Sequence, residues 1–307
     1  MPITIGVDIG GSHISSAAIN NDTNTIITDT LFQGSINNKA NKETILKDWA
    51  NVINQTLLKI NGEGPEGIGF AMPGPFQYGR GVALFKGNDK YEALYGVSVA
   101  SDLSPLLIQP KLNMRFLNDA ASFGIGASVN TLNTEEQNVV AITLGTGFGA
   151  AFLKGNVPVV NGDDIPSGGR LWDQPFLSTI ADNYFSTRWF LVRYKQLKGN
   201  NLFRGVKEII DNDREIASLL FQEFADNLSK FLLPYLQKFK ADVLIIGGSI
   251  TKSQHLFLSH LLKNWKESNY HIKISIINNT EESNILGASY LFDPTYWKAI
   301  KSTLPEF

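Results

Sequence analysis

The chain of 307 residues contains no cysteine. Disulfide bonds, cysteine-ligated zinc and thiol nucleophiles are therefore excluded. An excess of one charge is also lacking, since the chain has 27 Lys and Arg and 29 Asp and Glu, which gives a net charge of −2. This balance leaves no electrostatic footprint for nucleic acid. No apolar run approaches the roughly 20 residues that span a bilayer, and Met1-Pro2 leads into the first strand-like segment without a signal-peptide pattern. We expect a soluble, cytoplasmic protein with no nucleic-acid or membrane partner.

The segment over residues 3–20 combines apolar alternation with a glycine turn, which predicts two strands joined at Gly10 and Gly11. Paired glycines let a backbone approach a ligand, and their N–H groups can converge on an anion, with the Ser12 hydroxyl as a further donor. The Asp8 carboxylate beside that anion implies an intervening Mg²⁺. The alternative is an ordinary β-hairpin, in which Asp and Gly are common turn residues.

Residues 139–156 repeat this design around Leu144-Gly145-Thr146-Gly147, which predicts a duplicated domain. We expect each copy to present its turn to one shared cleft, where the two turns would hold a polyphosphate. A competing interpretation is the dinucleotide fingerprint Gly145-x-Gly147-x-x-Ala150, which must open a helix. A Lys154-Gly155-Asn156 turn follows after four residues, and that spacing leaves no room for a crossover helix.

Three further predicted strands end in polar or glycine-rich corners, where α/β proteins place ligands. Met72-Pro73-Gly74-Pro75 forms a rigid corner after the strand at 67–71. Asn118-Asp119 joins the strand at 114–117 to a helix, and a helix N-cap is the alternative role for Asp119. Gly247-Gly248-Ser249 follows a continuous apolar strand and leaves space for a flat ring.

Taken in order, these motifs resemble the ROK family of sugar kinases and sugar-responsive repressors, within the actin-like, hexokinase-type ATPase superfamily. The resemblance implies a two-lobed α/β fold of the actin-like (ribonuclease H-like) type, with a duplicated mixed β-sheet, flanking helices and a cleft between the lobes. It implies an N-terminal lobe at 1–117 and a C-terminal lobe at 118–291. A C-terminal helix near 292–307 is expected to pack back on the first lobe.

The resemblance also implies ATP and Mg²⁺ as cofactors and a small-molecule sugar as the partner; a homodimer is a further candidate. Asp119 matches the general base that takes a proton from the sugar hydroxyl. The nucleotide-binding candidates form three motifs. The first phosphate motif is Asp8, Gly10, Gly11 and Ser12, with Asp8 near Mg²⁺. The second phosphate motif is Gly145, Thr146 and Gly147, and the adenosine motif is Gly247, Gly248 and Ser249. The sugar-binding candidates are Asn118, Asn88 and Gly74, joined by Arg170 and Asp173.

The segment Gly169-Arg170-Leu171-Trp172-Asp173 departs from the family's sugar-binding stretch. Arg170 stands in place of a carboxylate and Asp173 in place of a histidine, and the family's cysteine-rich zinc loop is missing, so no zinc is expected. Arginine can only donate hydrogen bonds, so Arg170 is expected to pair with an acidic or phosphorylated sugar or with Asp173 itself. The leading hypothesis is an ATP- and Mg²⁺-dependent sugar kinase of unknown substrate. The alternative is a non-catalytic sugar-binding or regulatory relative.

Overall fold

The computed structural model describes residues 2–62, 64–87, 90–131, 137–199 and 203–304, and the predicted sugar contact Asn88 lies outside these ranges. The strands are β1 (Ile3–Ile9), β2 (His13–Asn20), β3 (Thr25–Ile26), β4 (Phe32–Ser35), β5 (Gly67–Met72), β6 (Phe76–Gln77), β7 (Val82–Ala83), β8 (Asn113–Asn118), β9 (Asn138–Leu144), β10 (Phe148–Lys154), β11 (Val157–Pro158), β12 (Pro175–Phe176), β13 (Thr179–Ile180), β14 (Val243–Gly247) and β15 (Lys273–Ile276).

The α-helices are α1 (Lys42–Leu57), α2 (Val99–Leu103), α3 (Asp119–Thr131), α4 (Thr187–Lys198), α5 (Val206–Asn212), α6 (Arg214–Phe239), α7 (Leu258–Glu267), α8 (Thr280–Ser289) and α9 (Pro294–Ile300). Short 3₁₀ segments lie at Glu92–Leu94, Ser104–Leu106, Ser167–Gly169, Ala181–Asn183, Ser249–Leu256 and Tyr290–Phe292. Within the described ranges, no helix combines the length and the apolar character needed to cross a membrane.

The chain divides into two compact units. The first unit comprises Met1–Thr134, Asn156–Pro158 and Glu281–Phe307, and the second comprises Glu135–Gly155 and Val159–Thr280. The sequence prediction placed the first boundary between residues 117 and 118. The structure instead assigns α3 and α8, together with α9, to the first unit.

The first unit is built on a mixed sheet in the order β3-β2-β1-β5-β8, with β4 also paired to β2. The predicted opening hairpin is present as the antiparallel pair of β1 and β2, while β1, β5 and β8 run parallel. Asp8 lies opposite Ala71, and Met72 lies opposite Asn118. The carboxyl ends of the three parallel strands therefore meet at one edge of the sheet, which is where open α/β sheets place ligands.

Glycines explain why α8 belongs to the first unit. A β-carbon on Gly6 of β1 would lie 2.1 Å from the Ile285 carbonyl oxygen, and one on Gly69 of β5 would lie 2.0 Å from that of Ala288. The backbone of α8 therefore rests directly on the sheet.

Helix α3 joins the same unit through a second close approach. A β-carbon on Gly126 of α3 would lie 1.9 Å from the Ser283 carbonyl oxygen, and one on Gly287 of α8 would lie 1.9 Å from that of Ser122. This backbone contact joins α3 to α8, and both helices lie in the first unit.

The second unit repeats the strand–turn–strand design. Its sheet contains β10, β9, β14 and β15 in that order, with β9 and β10 antiparallel and β9, β14 and β15 parallel. An aromatic cluster fills the core beneath the helices, and Phe185 packs against Phe148, Phe224 and Phe231. The segment after Gly147 is the strand β10 rather than a helix, so the dinucleotide fingerprint is excluded.

Candidate functional site

The first glycine turn is fixed by side chains that bind its carbonyl groups. The Tyr91 hydroxyl donates to the Gly10 carbonyl at 2.6 Å, and the Asn38 amide donates to the Gly11 carbonyl. The Gly10 N–H closes the hairpin on the His13 carbonyl at 2.9 Å. In the part of the chain that the structure describes, the N–H groups of Gly11 and Ser12 have no protein partner. The turn thus presents the pair of free backbone donors expected of an anion site.

Asp8 lies at the end of β1 with only 5% of its surface exposed. Its Oδ1 accepts one hydrogen bond, from Asn284 Nδ2 at 2.9 Å. Burial raises the pKa of the Asp8 carboxyl well above its usual range, the charge of Asp119 raises it further, and the Asn284 bond opposes the shift. A cation beside Asp8 would offset these effects.

The donors around Asp8 suit a magnesium ion. Beside the Asp8 carboxylate, the Asn284 Oδ1 and Glu281 Oε1 atoms are buried without a hydrogen-bond partner. Mg²⁺ prefers oxygen ligands of this kind. The residues present therefore fit the ion that the sequence predicts, with Asp8 as its anchor.

Asp119 begins α3 and is half-buried. Its Oδ1 accepts the Ala120 N–H at 2.8 Å. Burial raises the pKa of the Asp119 carboxyl, while the Ala120 N–H and the charge of Lys90 pull it down. A carboxylate with a raised pKa is suited to act as a general base when it lies within hydrogen-bond distance of the proton that it removes.

Asn118 serves as the cap of α3. Its Oδ1 accepts the N–H groups of Ala120 at 3.1 Å and Ala121 at 3.3 Å, and its Nδ2 donates to the Tyr78 hydroxyl at 3.1 Å. The Tyr78 hydroxyl in turn donates to the Met72 carbonyl at 3.1 Å. The cap role considered for Asp119 is therefore filled chiefly by its neighbour.

Gly74 lies in the same corner of the first unit. The Gly74–Pro75 peptide bond is cis, and a β-carbon on Gly74 would lie 3.5 Å from the Tyr78 hydroxyl. Because that hydroxyl also binds Asn118, the Pro-Gly-Pro corner and the Asn118-Asp119 junction are brought together. Both were predicted as ligand-binding corners.

Lys90 is a residue of this group that the sequence analysis did not single out. A β-carbon on Gly11 would lie 3.5 Å from the Lys90 Nζ atom, and the Lys90 charge acts on Asp119. An ammonium group over an anion-binding turn and near the candidate base can neutralise negative charge at both. The only sequence signal was a lysine in a glycine-containing loop, a pattern common on protein surfaces.

The second glycine turn is held in the same manner as the first. The N–H and Oγ1 of Thr187 donate to the Gly145 carbonyl at 2.7 and 3.0 Å, and Asp182 accepts the Phe148 N–H at 2.8 Å. Among the described residues, the N–H groups of Thr146 and Gly147 have no partner. The second unit therefore carries its own pair of free donors.

The glycine pair after β14 adjoins this turn. Gly248 has a φ of +95°, and a β-carbon on it would lie 2.3 Å from the Leu144 carbonyl oxygen, so only glycine fits. Its N–H donates to Thr280 Oγ1 at 2.7 Å. A β-carbon on Gly145 would lie 3.6 Å from Ser249 Oγ. The predicted phosphate and adenosine motifs are thus neighbours within the second unit, with Gly247 opposite Thr143 in the sheet.

Arg170 and Asp173 bind each other, which is one of the two outcomes predicted for Arg170. The Arg170 Nη2 atom lies 3.5 Å from Asp173 Oδ2, and both side chains are about one-third exposed. Asp173 also accepts from Gln174 Nε2 at 2.9 Å. In this predicted sugar-binding stretch the two side chains therefore balance each other in charge.

The sequence profile described as the ROK family matches residues 4–163. An N-acetyl-D-glucosamine kinase from Haemophilus influenzae is 24% identical over 284 residues, covering 82% of this chain and 86% of that protein. A glucokinase from Thermotoga maritima is 22% identical over 285 residues, covering 84% and 85%.

The fold has solved counterparts. A crystal structure of a ROK family glucokinase from Streptomyces griseus, in complex with glucose and AMPPNP, superposes with a TM-score of 0.75 at 18% identity. The match covers 94% of this chain and 98% of that one. The architecture is accordingly the predicted actin-like ATPase fold, and because the family profile spans more than half of the sequence, the chain belongs to the ROK family.

Proposed function

We propose that the protein is an ATP- and Mg²⁺-dependent sugar kinase. The observation that carries the proposal is the grouping of Asp119, Asp8, Lys90 and the free donors of Gly11 and Ser12 within the first unit. Phosphoryl transfer needs a carboxylate beside the attacking hydroxyl and positive charge beside the phosphates. The relatives named for glucose and N-acetyl-D-glucosamine support a hexose or amino-hexose as the acceptor.

Each residue has a role under this proposal. Asp119 accepts the proton of the sugar hydroxyl, and Asn118, oriented by Tyr78, fixes the start of α3 that positions this base. Gly11 and Ser12 donate to phosphate oxygens, and Lys90 neutralises their charge. Mg²⁺, held near Asp8, would withdraw charge from the phosphates when bound.

The residues proposed for the nucleotide in the second unit lie close together within that unit. Thr146 and Gly147 offer free N–H groups for phosphate, and Gly247-Gly248 leaves a face without side chains for the adenosine. Arg170 and Asp173 would meet the sugar as a neutral pair, so ordinary uncharged hexoses stay compatible with this loop.

The test is an ADP-release assay with Mg²⁺-ATP over a panel of sugars. The panel contains glucose, mannose, their N-acetylamino forms, and acidic and phosphorylated hexoses. We expect turnover on at least one neutral member. We expect Asp119→Asn to lower kcat by about 10² to 10⁴, the range for loss of a positioned base.

Asp22→Asn is the matched control, since Asp22 lies exposed in the turn after β2. It should keep full activity. Turnover by Asp119→Asn at the wild-type rate would contradict the role of the base. Binding of ATP and a sugar without turnover on any panel member would instead favour the non-catalytic sugar-binding relative, for which the altered residues Arg170 and Asp173 are the motivation.

A further inference from the structure

Three potential metal ligands converge beside the first glycine turn. The ligand atoms of Asp8 in β1, His13 in β2 and Glu281 in α8 all lie within 4.8 Å of one another. Three ligands at about 2.1 Å from one ion lie roughly 3 to 3.6 Å apart, so side-chain movements on the order of 1 Å would close this group on one ion. The sequence pointed to Asp8 alone, because Glu281 lies far from the opening hairpin in the chain and His13 has no ligand-like spacing to another histidine.

His13 is positioned by packing. A β-carbon on Gly10 would lie 2.4 Å from His13 Cε1 and less than 3 Å from both ring nitrogens. The imidazole therefore lies against Gly10, and any larger residue at position 10 would displace it. This contact holds a nitrogen ligand at the edge of the turn.

Glu281 has one oxygen committed and one free. Its Oε2 accepts from Gln33 Nε2 at 2.8 Å, while Oε1 is buried with no hydrogen-bond partner. A buried carboxylate oxygen without a partner costs about 1–3 kcal/mol. In the described ranges no ion pair offsets the charge of Asp8 or Glu281.

An independent observation at Asn284 points to the same ligand. Asn284 is only 8% exposed, and its amide reaches into the group, with Nδ2 at 2.9 Å from Asp8 Oδ1. The Oδ1 atom of that amide is buried and has no partner. Buried polar atoms nearly always have a partner, so these two oxygens beside one carboxylate and one imidazole form a donor set suited to a cation.

We propose that Asp8, His13 and Glu281 bind a divalent transition-metal ion directly, in the absence of nucleotide, with Asn284 Oδ1 as a further oxygen donor. The imidazole distinguishes this ligand set from the oxygen ligands Asp8, Glu281 and Asn284 alone, which Mg²⁺ would use when ATP is bound. Nitrogen ligands suit Zn²⁺, Co²⁺ and related ions, whereas Mg²⁺ prefers oxygen alone. The site lies beside the anion-binding turn, so the bound ion would also add positive charge next to that turn.

The test uses untagged, EDTA-treated protein without nucleotide, so that the four histidines of the chain are its only imidazoles. Co²⁺ is titrated by calorimetry and by visible absorption, which reports direct ligation. We expect one equivalent to bind, and Mg²⁺ to bind at least about 10-fold more weakly. His13→Gln and Glu281→Gln should each weaken Co²⁺ binding by about 10-fold or more.

The controls are His271→Gln and Glu267→Gln, both at exposed positions of the second unit. These variants should bind Co²⁺ as the wild type does. Circular dichroism in EDTA verifies that each variant is folded, and ¹H NMR of the imidazole protons identifies which histidine the paramagnetic ion shifts. The proposal would be overturned if the wild type did not bind Co²⁺, or if His13→Gln and Glu281→Gln bound Co²⁺ with the affinity of the wild type. Neither measurement depends on kinase activity, so failure of the metal-site proposal would leave the proposed kinase function unaffected.

Discussion

Lys90 and Asp119 carry opposite charges near one turn, and the Lys90 charge opposes the larger effect of burial on the pKa of the candidate base. Burial raises the pKa of Asp119, and the Lys90 ammonium lowers it. Lys90 also lies over Gly11, where a phosphate would bind. A single lysine would therefore support both the proton transfer and the charge neutralisation that a kinase needs.

We predict that Lys90→Met lowers kcat by about 10² to 10³, the loss typical when one charge-stabilising donor is removed. A base acts only when deprotonated, so activity falls as the pH drops through its pKa. Loss of Lys90 raises that pKa, and the acidic limb of the profile of kcat/KM against pH should move to higher pH. Steady-state kinetics across the pH range measure both effects.

Lys86→Met is the matched control in the same loop. Lys86 is exposed, and its ammonium lies over the Tyr95 ring at 5.5 Å from the ring centre. Its replacement should leave rate and profile unchanged. A Lys90→Met enzyme with only a raised KM for ATP would show that Lys90 contributes to binding alone.

Asp8 makes the apoprotein less stable at neutral pH. Its pKa in the folded state is raised, so the folded protein retains the proton at pH values where the unfolded chain has lost it. As the pH rises from the ordinary carboxyl range through the raised pKa, the free energy of unfolding decreases. The destabilisation is complete above the folded-state pKa.

We therefore predict that Asp8→Asn stabilises the metal-free and nucleotide-free protein at pH 8, by on the order of 1 kcal/mol. The variant cannot ionise, while its Oδ1 can still accept from Asn284. The gain should shrink toward zero as the pH approaches 4. Thermal melts in EDTA across this range, with Asp22→Asn for comparison, measure the difference. A pH-independent difference would contradict the assignment of the effect to ionisation.

At the scale of secondary-structure elements, the sequence predicts what is encoded locally. The hairpin of β1 and β2 and that of β9 and β10 follow from apolar alternation interrupted by glycine, and both are confirmed. The junction at Asn118-Asp119 was recognisable because a polar pair follows an apolar strand.

What the sequence did not reveal depends on contacts between distant segments. Gly126 and Gly287 each lie within a helix, and only the fold shows that they meet where α3 crosses α8. His13, Glu281 and Asn284 lack a recognisable spacing, because the fold of the first unit brings α8 onto the opening hairpin. The predicted approach of the two glycine turns to one another stays a prediction.

At the crossing of α3 and α8, a Gly→Ala substitution is expected to change stability in the opposite direction from the usual one. Gly→Ala within a helix ordinarily stabilises by up to about 1 kcal/mol. At Gly126 the new methyl group would lie 1.9 Å from the Ser283 carbonyl oxygen, so we expect Gly126→Ala to destabilise by about 3 kcal/mol or more. Chemical denaturation monitored by circular dichroism measures the change.

Gly205→Ala is the control for this substitution. Gly205 precedes α5 with a φ of −164°, and a β-carbon there meets no atom within 4 Å. Its replacement should alter stability by less than about 1 kcal/mol. A stabilised Gly126→Ala protein would show that the two helices separate readily.

For the molecule as a whole, the first unit is assembled from segments at both ends of the sequence. Residues 281–307 supply α8 and α9 to the unit whose sheet begins at Ile3, although the second unit's residues are inserted between them. Elements that share one core tend to open together. Helix α8 should therefore gain and lose protection together with β1 and β5, rather than with α7, which is closer in sequence.

Hydrogen exchange of the Gly126→Ala variant tests this assignment. The substitution weakens the contact of α3 with α8, so amides in α3, α8, β1 and β5 should lose protection in parallel. Amides in α6 and α7 should change much less, because their core of Phe221, Phe224 and Phe257 lies in the second unit. An equal loss in both units would mean that the chain unfolds as one cooperative body. A loss confined to α3 would mean that α8 is secured by the Gly6 and Gly69 contacts alone.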